Sequence, residues 1–322
     1  MRLNLILDGN FILNKNVFTL HKNNLLFGAL QRSLENTISN YKKLYPFQNI
    51  YLVSDSKGKS WRKEIDSNYK AQRKKDSDID WEFVYSTYSD FKKSVKGVKV
   101  LECHSVEGDD IISYLIHKSN ERNESNYVIS NDYDIKQLLS FNLNNLWMNF
   151  MGNDLFNKEK LFLPTNYQLF INSVSKLPND DIFNLNDNAE FLSIFDRLSN
   201  KSQIVEVNGV ESLVVKLVSG DISDNIKSVY EVSKNGKKRG IGQKGAQSIY
   251  ETYISEFGEV SINDPDLFDN IADIICEKKK ISKSNMDTIV KSIKMNMRLI
   301  DLRIDNIPIE IVDKIKNVYE KL

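Results

Sequence analysis

The sequence predicts an α/β fold in which a parallel-dominated central sheet is followed by a helical C-terminal domain. Short apolar runs of strand length recur in the first half of the chain, and helical stretches separate them. Carboxylate residues closely follow each of these runs. Beyond residue 210 the apolar spacing becomes helical almost to the end of the chain, as at Val214, Leu217 and Val218.

The candidate strands are four apolar runs, at residues 3–7, 49–53, 98–101 and 127–130. Their alternation with helices indicates that they pair in parallel. In open α/β sheets, ligands bind at the carboxyl ends of the strands. We therefore expect the acids that follow these runs to meet at one edge of the sheet.

The chain is predicted to contain an α/β domain at residues 1–209 and a helical domain at residues 210–322. Within the first domain, residues 57–95 hold no strand candidate but many Lys, Arg, Tyr and Trp, which predicts a helical excursion from the sheet. The stretch 152–202 is rich in Asn and Asp. We interpret it as a polar insertion.

Composition excludes several classes of protein. With 322 residues, 41% of them hydrophobic, the chain can bury a core without disulfide support. Its two cysteines lie far apart and match no metal or redox spacing, which favours a reducing, cytoplasmic setting. Because no apolar run approaches the roughly 18 residues of a membrane span, we expect a protein that is neither secreted nor inserted.

Charge is segregated along the chain although the formal net charge is zero. A zero net charge argues against a nucleic-acid partner, because phosphate binders usually carry a basic excess. Residues 57–75, however, hold eight Lys or Arg against two acids, and residues 227–244 hold six against one. The sequence thus predicts two basic surfaces.

Carboxylates gather where the predicted strands end. Any single acid there could be an ordinary helix N-cap, but crowding them all in one cleft costs several kcal/mol unless protons or cations relieve it. Oxygen-only ligands favour Mg²⁺ or Mn²⁺, and two such ions suit the in-line hydrolysis of a phosphodiester. The seven acids are Asp8, Asp55, Glu107, Asp109, Asp110, Asp132 and Asp134.

Three motifs resemble those of 5′ nucleases, the family of flap endonucleases and 5′→3′ exonucleases. They are VEGDD at 106–110, SNDYDIKQL at 130–138 and GDISDN at 220–225, in the family's order. The segments at 54–73, 81–92 and 299–308 are similar to the ribonuclease H members found in T-even phages. The resemblance implies a 5′-nuclease fold, related to PIN domains, with a helical arch at about residues 57–95.

The resemblance also implies roles for individual residues. The seven acids would hold a first metal ion directly or through water, and Asp221 with Asp224 would serve a second. The expected cofactor is therefore two Mg²⁺ ions, with Mn²⁺ as a substitute. Lys70 and Arg73 match basic arch residues that act on the scissile phosphate, and Arg62 matches a basic residue at the arch base, so these three are the candidate catalytic residues. The alternative for Lys70 and Arg73 is that they lie on an ordinary solvated helix face and have no catalytic role.

GIGQKGAQSI at 240–249 is similar to the family's helix-hairpin unit, whose glycines let backbone amides approach a DNA phosphate. The linker before it is longer than usual and Gly245 replaces the usual Thr, which leaves open whether the unit binds a monovalent cation. The residues expected to bind nucleic acid are Tyr69, Lys70, Arg73, Lys74, Lys237, Lys238, Arg239, Gly240, Gly242 and Lys244.

The predicted function is that of a phage-type replication nuclease. It would be a metal-dependent 5′→3′ exonuclease and flap endonuclease that acts on RNA–DNA and DNA–DNA duplexes and removes RNA primers from lagging-strand fragments. We expect a monomer in the host cytoplasm, with a single-strand-binding protein or a sliding clamp as partner of the insertion. The alternatives are a PIN-type ribonuclease and a non-catalytic junction-binding protein.

Overall fold

We analysed a computed structural model of the chain. The structure describes residues 3–43, 47–73, 76–122, 124–141, 146–150, 153–156, 204–206, 208–234 and 237–322. Within these residues the chain forms one seven-stranded sheet, a two-stranded hairpin and helices on both faces of the larger sheet.

The central sheet has the order β3-β2-β1-β4-β5-β6-β7. The strands are β1 (Leu3–Asp8), β2 (Asn49–Val53), β3 (Lys99–Leu101), β4 (Ser125–Ile129), β5 (Leu146–Phe150), β6 (Asn153–Phe156) and β7 (Ile204–Glu206). Strands β1 to β5 pair in parallel, whereas β6 runs antiparallel to β5. The four predicted strands and the parallel-dominated sheet are thereby confirmed.

The central position of β1 explains its composition. Leu5, Ile6 and Leu7 are fully buried, because helices cover both faces of the strand. The helices of the first half of the chain are α1 (Gly9–Lys22), α2 (Leu26–Lys42), α3 (Arg62–Ile65), α4 (Trp81–Ser94), α5 (Gly108–Glu121) and α6 (Leu138–Phe141). Leu5 and Leu7 join the core formed with α1, α2 and α4, while Ile6 joins the core around α5.

The second half is mainly helical and has a hydrophobic core of its own. Its helices are α7 (Gly209–Ser219), α8 (Gln243–Phe257), α9 (Leu267–Lys279), α10 (Met286–Ile300) and α11 (Ile309–Tyr319). Val214, Ile249, Ile271 and Ile293 are buried together, one from each of the first four helices. Among the described helices, none is long and apolar enough to cross a membrane.

A β-hairpin interrupts this helical region, in the long linker that precedes the predicted helix-hairpin unit. Strands β8 (Glu231–Lys234) and β9 (Lys237–Gly240) pair antiparallel, with Ser233 opposite Lys238. Asn-Gly at 235–236 is a sequence signal for a two-residue hairpin turn, although the segment after it, Lys-Lys-Arg-Gly, has no apolar residue to indicate a strand. The prediction of a mainly helical region from residue 210 onward did not anticipate these two strands.

The end of the chain packs on the first domain. Leu302, Ile307, Ile311 and Ile315 are buried in the core around α5, not in the core of the helical region. The predicted boundary near residue 209 remains a prediction, and α7 begins there. Residues 302–315, however, contribute to the core of the α/β domain.

The predicted polar insertion begins inside the sheet. Residues 153–156 form β6, which pairs with β5 and in parallel with β7. The remainder of the insertion, residues 157–202, lies outside the described residues.

Candidate metal centre

Four of the predicted acids meet at the carboxyl edge of the sheet. Asp8 is the last residue of β1, Asp55 follows β2, Asp109 lies in the first turn of α5, and Asp132 follows β4. All four line one open cavity of about 1600 Å³. The structure therefore brings together residues that are separated by up to 124 positions, from residue 8 to residue 132.

Asp8 is fixed by the strand-to-helix turn. Its Oδ1 accepts a 3.0 Å hydrogen bond from the amide of Phe11, so that it caps α1, and its Oδ2 accepts a 2.6 Å bond from the Ser130 hydroxyl. Gly9 follows it because a Cβ at that position would collide with the hydroxyls of Tyr88 and Ser54. Both carboxylate oxygens are thus held at the edge of the cavity.

Backbone amides hold the neighbouring acids. The amide of Gly108 donates to Asp55 Oδ1 at 2.6 Å, which ties the end of β2 to the first turn of α5. The amide of Asp134 donates to Asp132 Oδ1 at 2.8 Å, and the amide of Asp132 donates to the Ser130 hydroxyl at 3.0 Å. The loop after β4 is therefore folded around its own acids.

Burial makes this first acidic group costly to ionise. It raises the pKa of Asp8 to about 6, despite the hydrogen bond from Ser130. Burial also raises the pKa of Asp55, and burial together with the Asp132 charge raises that of Asp109 well above its usual value. Such a group gains stability from a bound cation, and its all-oxygen donors fit Mg²⁺ or Mn²⁺.

A second acidic group lies beside the first. Asp134, Asp221 and Asp224 each offer a carboxylate oxygen, and these atoms lie within 4.8 Å of one another. Gly220 precedes Asp221 and Asp224 with φ 73°, and a Cβ at that position would collide with the carbonyl of Ile226. The glycine thus permits the tight loop that presents Asp221 and Asp224, and the structure brings the predicted second pair to the site.

Asp110 and Glu107, the other two predicted ligands, contact protein cations. Asp110 is fully buried, and its oxygens accept from Arg62 Nη1 at 3.0 Å, Arg62 Nη2 at 2.8 Å and Trp61 Nε1 at 2.9 Å. Glu107 accepts from Arg62, Tyr69 and Lys70 at 2.9 to 3.1 Å. Burial alone would raise the pKa of Glu107, but the charges of Arg62 and Lys70 hold it below its ordinary value.

Two residues predicted for catalysis or nucleic-acid binding are internal in this structure. Arg62 is 1% exposed, and besides Asp110 and Glu107 it donates from Nε to the carbonyl of Leu299 at 2.8 Å. Tyr69 is 3% exposed, with its hydroxyl 3.1 Å from both Glu107 and Asp224. Arg62 is thus a buried ion-pair partner of two acids and Tyr69 a bridge between acids. The roles expected for Arg62 in catalysis and for Tyr69 in nucleic-acid binding remain predictions.

Lys70 and Arg73 reach the cavity of the first acidic group. The Lys70 ammonium lies 2.9 Å from Glu107 Oε1 and 3.7 Å from Asp224 Oδ2, and the Arg73 guanidinium pairs with Asp224. Lys70 has a left-handed backbone (φ 54°), and its amide donates to the Asp224 carbonyl at 2.8 Å. Both predicted arch cations therefore lie between the two acidic groups.

The other predicted nucleic-acid contacts fall around the start of α8. Arg239 and Lys244 are exposed, and Gly240 and Gly242 lie in the connection to α8. Lys237 and Lys238 lie on β9, where the structure describes the backbone. Lys74 lies outside the described residues.

Sequence reasoning missed Lys216, which lies in the last turn of α7. Its ammonium contacts Asp134 and lies 2.6 Å from Asp221 Oδ2. One sequence signal could have indicated this contact: Lys216 lies five residues before Asp221. That spacing amounts to about one helical turn followed by a tight loop, which can return the chain to the same lysine. A solvated helix face would have been the ordinary interpretation of a lysine at that position.

Comparisons with known proteins agree with this geometry. Residues 3–163 match the family model described as the 5′-3′ exonuclease N-terminal resolvase-like domain. A curated 5′-3′ exonuclease of Mycoplasmopsis pulmonis is 24% identical over 252 residues, which cover 78% of this chain and 67% of that protein. One from Aquifex aeolicus is 30% identical over 166 residues, 48% of this chain and 54% of that protein.

Solved structures show the same fold. A zinc-bound 5′-exonuclease of bacteriophage T5 superposes with a TM-score of 0.58 at 18% identity, covering 99% of both chains. A T5 flap endonuclease variant, in a pseudo-enzyme-product complex with DNA and metal ions, gives a TM-score of 0.60 at 20% identity, covering 99% of this chain and 98% of that one. The motif resemblance is confirmed by these matches, and the chain belongs to the 5′-3′ exonuclease family of nucleases.

Proposed function

We propose that this protein is a Mg²⁺-dependent 5′→3′ exonuclease and flap endonuclease that acts at the 5′ ends of DNA–DNA and RNA–DNA duplexes. The observation that carries the proposal is the convergence of two acidic groups with Lys70 and Arg73 between them. Binding a phosphodiester in such an acidic cleft requires cations, and the donor set suits hard divalent ions.

The acids would hold the metal ions in two sets. Asp8, Asp55, Asp109 and Asp132 line the first cavity. Asp134, Asp221 and Asp224 line a second cavity of about 410 Å³, which Asp132 also borders. Two Mg²⁺ ions held by these acids would supply an activated water and neutralise charge on the leaving oxygen. We assign Asp110 and Glu107 to orient Arg62 and Lys70 around this centre.

Lys70 and Arg73 would offset the charge that develops on the scissile phosphate. Lys70 is 17% exposed and anchored by Glu107, so it can present an ammonium to the cavity without losing its position. Arg73 is about half exposed and can leave Asp224 to follow a phosphate. Donors fixed in place before the reaction are the most effective at stabilising a transition state.

The first cavity also offers a surface for an unpaired strand. Phe18 and Trp81 lie 6.3 Å apart between ring centroids, and Trp81 stacks on Tyr85 at 5.7 Å. All three rings line the cavity, together with Lys15 and Lys92. Aromatic rings alternating with cations favour single-stranded nucleic acid, because bases stack on the rings while the cations attract the backbone. This supports a substrate that has a single-stranded 5′ tail.

The region around α8 would bind the duplex. The second cavity is bordered by Asp221 and by Gln243, in the first turn of α8, and the exposed cations Arg239 and Lys244 flank that turn. A helix N-terminus with nearby basic side chains suits a backbone phosphate. A duplex gripped there would lie beside the acidic groups.

The finer assignments rest on the motif resemblance. We propose a phage-type role in replication, the removal of RNA primers from lagging-strand fragments in the host cytoplasm. We further propose that the protein acts as a monomer and that residues 152–202 dock a single-strand-binding protein or a sliding clamp. A PIN-type ribonuclease would lack the second acidic group, and a non-catalytic junction-binding protein would lack the metal-ligating acids.

The test compares three 5′-labelled substrates: a DNA flap, a nicked duplex and an RNA–DNA hybrid, each with Mg²⁺ and with chelator. We expect short 5′ products from all three in Mg²⁺. Cleavage of none of these three substrates, together with cleavage of a 5′-labelled single-stranded RNA added as a fourth, would favour the PIN-type ribonuclease. Tight binding of the flap without cleavage in Mg²⁺ or Mn²⁺ would favour a junction-binding protein.

A further inference from the structure

The two acidic groups differ in how the protein neutralises them. Lys70 and Arg73 reach the cavity of the first group but pair with Glu107 and Asp224. In the second group, Asp224 pairs with Arg73, and the remaining two acids share Lys216. The second group therefore already holds a protein cation, Lys216, on two of its three carboxylates.

The position of Lys216 is fixed by the packing of α7. It lies on α7 between residues that pack into the interior, and its neighbours Leu217 and Val218 are fully buried. Asn296 Nδ2 donates to the Leu217 carbonyl at 2.8 Å, which fixes the end of the helix. The Lys216 side chain is 20% exposed, and its ammonium contacts oxygens of Asp134 and Asp221 at the same time.

These two contacts use oxygens of the acids that would ligate the second ion. A divalent ion bound to the same oxygens would lie close to the Lys216 ammonium. The two positive charges would repel each other strongly. We propose that Lys216 competes with a divalent cation at the second acidic group and must leave Asp134 and Asp221 before that site fills. This inference rests on the proposed metal-dependent function and adds a regulating residue to it.

The surroundings give the displaced side chain a place to go. Lys216 borders the second cavity together with Gln243 and Gln247 of α8. Released from the acids, its ammonium would face the region assigned to the duplex backbone. A divalent ion bound at the second site would release Lys216 toward a phosphate, and a phosphate paired with Lys216 would leave Asp134 and Asp221 open to the ion. Each binding event would therefore favour the other.

The experiment measures Mn²⁺ binding by calorimetry and by electron paramagnetic resonance, with no nucleic acid present. Lys216→Met removes the charge and keeps the length, and Lys216→Arg keeps the charge. Lys227→Met removes one charge from an exposed position nearby and is the matched control. We expect the weaker of two sites to tighten by about tenfold or more in Lys216→Met, equivalent to about 1.4 kcal/mol, and to stay weak in the other two variants.

A second measurement needs no variant. Lys216 should be slow to react with an amine-labelling reagent in chelator and should become several-fold more reactive in saturating Mn²⁺, as read by mass spectrometry of its peptide. Unchanged labelling, or an Mn²⁺ affinity in Lys216→Met equal to or weaker than that of the wild type, would overturn the competition. If the wild-type protein binds no Mn²⁺, the metal-dependent function itself fails, which is a separate outcome.

Discussion

Arg62 Nη2 donates to Asp110 Oδ1 at 2.8 Å, and both side chains are almost completely buried. The same guanidinium reaches Glu107 at the edge of the acidic cleft and the carbonyl of Leu299 at the end of α10. One residue thus joins the base of the predicted arch, the first turn of α5 and the helical region. This linkage gives Arg62 a structural role.

Arg62→Met should lower the free energy of unfolding by about 3–5 kcal/mol, because it leaves the Asp110 charge buried without its partner. Urea denaturation followed by circular dichroism measures this. The double variant Arg62→Met with Asp110→Asn should regain part of the loss, because the uncompensated charge is gone. Near wild-type stability of Arg62→Met together with lost turnover would instead support the catalytic role predicted for Arg62.

Asp132→Asn should abolish turnover and leave DNA affinity unchanged or slightly higher. Asp132 borders both cavities, so its loss removes a ligand, while a less negative cleft repels phosphate less. Filter binding and single-turnover cleavage separate the two effects. Asp78→Asn, at an exposed site outside both cavities, is the matched control. An equal loss of binding and cleavage would mean that Asp132 supports folding.

Lys70→Ala and Arg73→Ala should each reduce the single-turnover rate on a saturating flap substrate by on the order of 10²-fold, with little change in affinity. Both side chains border the cleft, and many other cations share the overall attraction for DNA. Lys22→Ala, an exposed lysine at the end of α1, controls for the loss of one charge. A rate within about threefold of the wild type beside much weaker binding would favour the solvated-face interpretation.

Replacing residues 164–203 by a Gly-Ser linker of about six residues should preserve nuclease activity. The structure sets these limits, because β6 belongs to the sheet and the family match ends at residue 163. Strands β6 and β7 are parallel, so roughly a dozen residues must connect them. Activity on the flap substrate and thermal stability are the measurements. An insoluble or inactive product would assign the replaced stretch to the folded core.

The sheet and the meeting of the acids could be predicted because each depends on local signals. A buried parallel strand is a continuous apolar run, and a ligand at its carboxyl end follows directly in sequence. Asp8 and Asp132 carry such signals, and the motif order added Asp221. The parallel pairing of the strands was enough to bring Asp8 and Asp132 together, whereas Asp221 reaches them from the loop after α7.

The partners of the charged residues could not be predicted in the same way. Arg62 and Arg73 both lie in a basic segment, yet one is buried against Asp110 and the other is half exposed. Only the packing of α3 against α5 and α10 decides between these outcomes. Likewise, α11 is amphipathic whichever core it covers, so its return to the α/β domain leaves no local signal.

Cleavage of a 5′-labelled flap by one preparation, measured in chelator and again after Mg²⁺ is restored, tests the metal-dependent nuclease most directly. Asp8, Asp55, Asp109 and Asp132 line one cleft, and their negative charges would repel a phosphate unless divalent cations are bound among them. We predict no product in chelator and full recovery of short 5′ products when Mg²⁺ is added. Undiminished cleavage in excess chelator would contradict the assignment of these acids as metal ligands.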